Sequence, residues 1–388
     1  MTSPRLQDIN PFYVMELMNL AHAAEAAGRD VVHMEVGEPD FGCPAPIMRA
    51  ARAAVDEGRT QYTAALGMPP LRAAIAREYS EFYGVEIDPQ RVIVTPGASG
   101  ALQLVMALLL DQGDDILMAD PGYPCNRHMA RLFGGRAVPV KVDASTAYQP
   151  TVAQLEAART AQTRAVLLAT PSNPAGSTLT PQELAAIAAW ASGHGIELVV
   201  DEIYQGLVYG RSHSTALAVA PQAFVVNSFS KYYGMTGWRV GWLIAPQDRV
   251  GPLERLAQNF FIAPSTPGQH AALAAFLPET RPLLEDRRLR FEERRDHMLP
   301  ALRALGLEIP VDPTGAFYVY ADAGRFTDDS LAFCKDILER TGVVITPGVD
   351  FGTHRAGQHL RFAYTSSLDR LNEGLTRLGE YLQALNRC

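Results

Sequence analysis

The stretch Ser228-Phe229-Ser230-Lys231-Tyr232-Tyr233-Gly234-Met235-Thr236-Gly237-Trp238-Arg239 follows the apolar run Ala223-Phe224-Val225-Val226. A strand that ends there delivers a lysine, an arginine and several hydroxyls to one edge of a sheet. Lysine is the side chain that forms Schiff bases with carbonyl compounds, whereas Ser228 and Arg239 suit phosphate oxygens. The run therefore has the parts to hold an aldehyde and a phosphate side by side. A solvated surface lysine leaves the same trace, so the reading depends on what the rest of the chain supplies.

Four further segments each close an apolar run with a useful side chain. Ile196-Glu197-Leu198-Val199-Val200 runs into Asp201-Glu202-Ile203-Tyr204, which sets an acid at the carboxyl end of a buried strand, where open α/β sheets bind ligands. An Asp capping the following turn gives the same pattern. Val92-Ile93-Val94 leads through Thr95-Pro96-Gly97-Ala98-Ser99-Gly100 into an apolar helix, whose free N–H groups make an anion site at Ala98 and Ser99, or an ordinary tight turn. Ile116-Leu117-Met118-Ala119 ends in Asp120-Pro121-Gly122-Tyr123-Pro124, and Ala165-Val166-Leu167-Leu168-Ala169 ends in Thr170-Pro171-Ser172-Asn173-Pro174. Tyr123 offers a face for stacking on a ring and Asn173 an amide donor, with a cis Asn173-Pro174 bond as one way to aim it. Pyridoxal 5'-phosphate carries an aldehyde, a phosphate and a pyridine nitrogen on one ring, and Asp201 is placed to keep that nitrogen protonated.

In the order and spacing of these segments the chain resembles the fold type I pyridoxal phosphate enzymes, and within them the class I aminotransferases related to aspartate aminotransferase. The resemblance extends from Gly37-Glu38-Pro39-Asp40-Phe41 and Gln61-Tyr62-Thr63 to Pro347-Gly348-Val349-Asp350-Phe351-Gly352 and Leu360-Arg361-Phe362-Ala363-Tyr364. It implies that Lys231 holds the cofactor's aldehyde carbon and then moves a proton at the substrate α-carbon. It implies that Asp201 pairs with the ring nitrogen, that Tyr204 and Asn173 bond the ring's phenolic oxygen, and that Tyr123 stacks on the ring. Ala98, Ser99, Ser228 and Arg239 correspond to the phosphate cradle, which Tyr62 of a second subunit completes in a homodimer with shared sites. Arg361 corresponds to the fork that grips the substrate α-carboxylate, closed on the other side by the Gly37 backbone and Asn173.

The expected reaction is a ping-pong transfer of an amino group from an L-amino acid to a 2-oxo acid. A lyase or other non-transaminating enzyme of the same fold acting on an amino acid is the alternative, because the fate of the substrate depends on bond orientation. The sequence offers no second cation for a distal carboxylate. Phe12 and Tyr13, in Pro11-Phe12-Tyr13-Val14-Met15, are expected either to make the pocket apolar, favouring aromatic or branched amino acids, or to anchor the N-terminal arm.

Composition sets outer bounds on these readings. A net charge of −8 argues against a nucleic-acid surface, and Cys43, Cys125, Cys334 and Cys388 have no paired spacing that would suggest disulfides or zinc. No metal site is expected. No apolar signal core follows Met1-Thr2-Ser3-Pro4-Arg5 and no apolar run reaches membrane-spanning length, so a cytoplasmic enzyme is expected, without membrane or nucleic-acid partners.

Alternating patterns predict an α/β fold, with a mostly parallel seven-stranded sheet between helices and a smaller α+β domain. The candidate strands are 92–94, 116–119, 137–142, 165–169, 196–200, 223–227 and 240–244, followed by 316–320, 343–346 and 359–364. A long helix over 279–304 is expected to turn Leu283, Leu284, Leu289, Phe291 and Leu299 inward, and a last helix to start at Leu368. The expected organisation is an N-terminal arm with part of the small domain over 1–44, a large cofactor-binding domain over 45–285 and a small C-terminal domain over 286–388.

Overall fold

Short runs rich in Val, Ile, Leu and Ala, each closed by turn residues, become the strands of this chain. The computed structural model describes residues 6, 7 and 9–385. Met1-Thr2-Ser3-Pro4-Arg5 and Cys388, which the sequence reading used, lie outside them. In chain order the strands are β1 (Val32–His33), β2 (Val92–Thr95), β3 (Asp115–Asp120), β4 (Arg136–Lys141), β5 (Thr163–Ala169) and β6 (Glu197–Asp201). They continue with β7 (Phe224–Ser228), β8 (Gly241–Ile244), β9 (Tyr318–Asp322), β10 (Val343–Val344), β11 (Thr346–Pro347) and β12 (His359–Ala363).

Seven of these form one sheet in the order β2-β8-β7-β6-β5-β3-β4. The pairs β6–β7, β5–β6, β3–β5 and β3–β4 are parallel, and β8 runs antiparallel to both of its neighbours. The carboxyl ends of β2, β3, β5, β6 and β7 thus share one edge, and the start of β8 joins them. Alternation places Val94, Leu117, Val166, Val200 and Val225 in one apolar cluster. Ile93, Ile116, Leu167, Val199 and Val226 fall in the other. A sheet buried on both faces explains why these strands read as continuous apolar runs.

Beyond the long helix Arg281–Ala304, a three-stranded antiparallel sheet follows in the order β11-β12-β9, and β1 pairs in parallel with β10. The N-terminal segment is therefore hydrogen-bonded to the C-terminal third of the chain. The last helix, Leu368–Leu385, begins where the sequence reading put it. Most predicted strands are met within one or two residues. The candidate 343–346 is two short strands on different sheets.

The long helix requires a correction. Leu284, Phe291 and Leu299 are buried as expected, but Leu283 is 42% and Leu289 54% exposed. The buried stripe runs instead through Leu284, Phe291, Arg294, Met298 and Leu302. An arginine belongs to it because Asp40 accepts two hydrogen bonds from Arg294 at 2.9 Å, which a hydrophobic count cannot register.

At the edge where the strand ends meet, Gly241 lies opposite both Thr95 and Ser228. A Cβ there would stand 2.6 Å from the Gly97 carbonyl carbon and 2.7 Å from the Ala98 nitrogen, both backbone atoms. Gly241→Ala should therefore destabilise the protein by about 1–3 kcal/mol, as overpacking does. Denaturant unfolding at unchanged slope will show this as a lowered midpoint, and an unchanged midpoint would contradict the close approach.

Candidate active site

Each strand end supplies one wall of a single cavity of about 260 Å³. The turn after β2 gives Ala98 and Ser99, the loop after β3 gives Tyr123, and the loop after β5 gives Pro171 and Asn173. Asp201 closes β6 with Ile203 and Tyr204 behind it, and Lys231 follows β7. Gly37 and Glu38 follow β1, while Tyr318 from β9 and Arg361 from β12 complete the enclosure. Side chains spread over more than 300 residues of chain thus face one space, as open α/β sheets arrange their ligand sites.

Lys231 Nζ donates to the Gly37 carbonyl at 2.8 Å. Burial lowers its pKa to about 8, with Arg361 and Arg239 adding to the effect and Glu38 and Asp201 opposing it. A neutral amine, the reactive form toward carbonyl carbon, is therefore accessible near neutral pH. Asp201 accepts from the Ile203 N–H at 3.0 Å, and burial raises its pKa to about 6, against the opposing pull of that N–H and of Lys231. Such a carboxylate is short of cationic company.

Arg361 is fixed on several sides. Nη1 donates to Asn173 Oδ1 at 2.9 Å, and Nη2 donates to the Glu35 carbonyl and to Thr346 Oγ1. The guanidinium lies over the Tyr318 ring at 4.2 Å and the Phe351 ring at 4.8 Å, and its Nε is buried without a partner. Tyr204 and Tyr318 share a hydrogen bond at 2.9 Å between hydroxyls. Gly37 is obligatory here, because a Cβ would fall 1.8 Å from the Tyr318 hydroxyl oxygen.

The anion end lies at the N-terminus of the helix Gly97–Leu109, where Pro96 makes no side-chain cap and the first-turn N–H groups stay open. Ser228 is buried beside it, its hydroxyl bonded to Ser230 Oγ and the Val240 carbonyl. Arg239 is exposed and left-handed in backbone, and a Cβ on Gly97 would lie 2.6 Å from its Nη2. The close approaches that glycine permits at Gly97 and Gly241 thus bring an arginine, hydroxyls and helix N–H groups together. These residues fit pyridoxal phosphate: a cradle for the phosphate, a buried acid lacking a cation for the ring nitrogen, an aromatic wall at Tyr123 and an amine of lowered pKa.

The fold brings together Lys231, Asp201, Tyr204, Tyr123, Asn173, Ala98, Ser99, Gly37 and Arg361 around the cavity, whereas Ser228 and Arg239 do not line it and lie beside Gly241 and Gly97. Tyr62 is not among them; it is 82% exposed and stands clear of the cavity of its own chain. The Asn173-Pro174 bond is cis. Phe12 lines the cavity with Val14 and Met15, and its ring meets Tyr123 edge-on at 6.1 Å. Tyr13 does not. It starts a helix, its N–H held by Asp350 Oδ1 at 2.9 Å, and it lines a neighbouring cavity of about 540 Å³ on the other side of Tyr123.

Sequence reasoning missed Tyr318, Glu38 and Thr236, of which the last donates to the Glu38 carboxylate. It also passed over a simple signal: the lysines of the chain are Lys141, Lys231 and Lys335. Lys141 is exposed and Lys335 pairs with Glu16 at 2.7 Å, so Lys231 alone is enclosed.

Comparison with known proteins agrees with this arrangement. The pattern of the family described as "Aminotransferase class I and II" matches residues 29–378. The chain is 40% identical to a valine–pyruvate aminotransferase of Mycobacterium tuberculosis, covering 96% of this chain and 97% of that protein. A crystal structure of an aminotransferase from Mycobacterium tuberculosis superposes with a TM-score of 0.95 at 39% identity, covering 99% of each chain. The aspartate aminotransferase of Thermus thermophilus with maleate gives 0.93 at 33% identity, over 98% of this chain and 99% of that one.

The buried acid can be tested without any ligand. Because its folded pKa of about 6 exceeds the ordinary 3.8, Asp201 takes up protons on folding between those values, so its contribution to stability falls as pH rises from about 4 to 6. Asp201→Asn removes that component. In the cofactor-free protein, the difference in unfolding free energy between variant and wild type should shift in the variant's favour by on the order of 1–3 kcal/mol across this window. A difference independent of pH would mean that the carboxyl is not perturbed.

Proposed function

The chain belongs to the aminotransferase class I and II family and catalyses pyridoxal phosphate-dependent transfer of amino groups between amino acids and 2-oxo acids, and we propose that its donors are L-amino acids with apolar side chains. One observation carries the proposal. Among the residues lining the cavity the cations are Lys231 and Arg361, whereas Phe12, Val14, Met15, Leu102 and Ile203 supply apolar surface and Glu38 a negative charge. A donor with a second carboxylate would meet Glu38 rather than a second fork. The name of the Mycobacterium tuberculosis relative, a valine–pyruvate enzyme, points the same way.

Pyridoxal phosphate, when bound, supplies an aldehyde carbon for the amino group and a ring that withdraws electrons from the α-carbon. In our reading Lys231 Nζ would hold the cofactor at that carbon and would carry the proton at the substrate α-carbon. Asp201 would hold the ring nitrogen protonated, Tyr204 and Asn173 would bond the phenolic oxygen, and Tyr123 would stack on the ring. Ala98, Ser99, Ser228 and Arg239 hold the phosphate. Arg361, steadied by Asn173, Thr346 and the Glu35 carbonyl, orients the α-carboxylate, which lowers the entropy cost of aligning the α C–H bond.

We further propose a homodimer in which Tyr62 reaches the phosphate of the neighbouring subunit. Its exposure, together with that of Phe260 and Ile262, supports this reading. Residues 45–285 would form the large cofactor domain, with 286–388 and 1–44 forming the small one, in keeping with the pairing of β1 and β10. Among the described residues no helix is long and apolar enough to cross a membrane. The free thiols of Cys43, Cys125 and Cys334 favour a cytoplasmic location.

Three experiments bear on these roles. Mixing the holoenzyme with single amino acids and following the cofactor's absorbance over one turnover should rank valine, leucine or phenylalanine above aspartate; aspartate in the lead would reject the apolar assignment. Lys231→Ala should lower the catalysed rate by ~100- to 10,000-fold while retaining some cofactor, and normal turnover would remove Lys231 from catalysis. Arg361→Lys should cost about 2 kcal/mol in kcat/KM for amino acids, since an ammonium does not reproduce the planar fork, yet leave reaction with simple amines nearly unchanged. Equal losses for both would give Arg361 a structural role only.

A further inference from the structure

Between the helix Tyr13–Ala26 and β1, folding gathers two histidines and two glutamates whose side chains do not line the cavity. His22 and Glu25 stand three residues apart on the helix Tyr13–Ala26, so they share a face of it. His33 closes β1 opposite that face. The ligating atoms of His22, Glu25 and His33 all lie within 4.8 Å of one another, and His33 Nε2 is 3.2 Å from Glu25 Oε1. The two imidazole rings are 5.8 Å apart. Because the donors come from a helix and a strand, no spacing in the sequence reveals them.

A second observation points to a cation. His33 Nδ1 lies 2.8 Å from Glu35 Oε1, and Glu35 is fully buried with Oε2 lacking any hydrogen-bond partner. In the metal-free protein both ring nitrogens of His33 donate, Nδ1 to Glu35 and Nε2 to Glu25, and a metal ion on Nε2 would take the place of the second proton while Glu35 stays on Nδ1. Carboxylate–histidine–metal arrangements are built this way. The group also sets two carboxylates, one of them fully buried, against the single charge of one imidazolium, whereas a divalent ion on Nε2 would balance Glu35 and Glu25 together.

We propose that His22, Glu25 and His33 bind one divalent transition-metal ion of the zinc class, with water at the fourth position. Bonds of about 2.0–2.2 Å place neighbouring donors of a tetrahedral site about 3.3–3.5 Å apart. The His33–Glu25 pair, at 3.2 Å, is close to that spacing, and His22, whose ligating atom lies within 4.8 Å of both, carries an exposed side chain that would have to turn toward them. Two imidazoles and one carboxylate favour this class over magnesium or calcium, which prefer oxygen alone. The ion fastens the helix Tyr13–Ala26 to β1, two residues before the Glu35 carbonyl that holds Arg361. The helix in turn starts beside Phe12 at the cavity wall.

The test uses holoenzyme freed of metal by a chelator. Co²⁺ titration should give visible bands of a four-coordinate site saturating at one ion per chain, displaced by Zn²⁺. His22→Ala, which removes an exposed side chain and should leave the fold intact, is expected to weaken binding by more than 100-fold, and Glu35→Gln by ~10- to 100-fold. Zn²⁺ should raise the melting temperature of wild type and not of His22→Ala. Equal Co²⁺ binding by wild type and His22→Ala, or no saturable bands in wild type, would overturn the proposal and reduce the group to an ion-pair cluster only.

Discussion

Lys231 and Asp201 are buried in one cavity, and the rest of the molecule is arranged around that constraint. Removal from water pushes the lysine down and the acid up, so both groups stand near the middle of the pH range. Neither state is stable in isolation, because each buried charge lacks solvent and has incomplete pairing. A ligand with an electrophilic carbon at one end and a basic ring nitrogen at the other relieves both at once. The parallel strands β5, β6 and β7 make this possible by ending at one edge, with the backbone of the sheet satisfied behind them.

Arg361 ties that edge to the rest of the chain. It sits on β12, yet it bonds Asn173 from the loop after β5 and the Glu35 carbonyl from the segment after β1. The position of its guanidinium therefore depends on three separate parts of the sequence being in place. The same segment bears Gly37, whose carbonyl accepts from Lys231. A shift of the N-terminal segment would be felt by both cations of the cavity, which is why the cluster at His33, two residues earlier than Glu35, bears on the same chemistry.

Much of the large sheet and most of the cavity were legible in the sequence, for a physical reason. A strand buried on both faces has to be apolar throughout, and the first polar side chains after it fall at the edge where ligands bind. Asp201, Tyr123, Asn173 and Lys231 are all such residues, so errors of one residue in strand limits did not displace them. Tyr318 escaped notice because it opens β9, in a run of aromatic residues that reads as core. Pocket wall and anchor of the arm were both open readings for Phe12 and Tyr13; Phe12 is extended and lines the cavity, whereas Tyr13 begins the helix, so their side chains part company. The amphipathic pattern turned Leu283 and Leu289 inward, whereas the buried stripe of that helix includes Arg294, paired with Asp40.

The central claim is that Lys231 is the covalent anchor of the cofactor. The most direct measurement is to reduce the holoenzyme with borohydride, digest it and locate the added phosphopyridoxyl mass on the peptides. With Lys141 exposed and Lys335 paired to Glu16, the account predicts the mass on the peptide containing Lys231 and on no other. Modification of Lys141 or Lys335 with Lys231 left unmodified would contradict it.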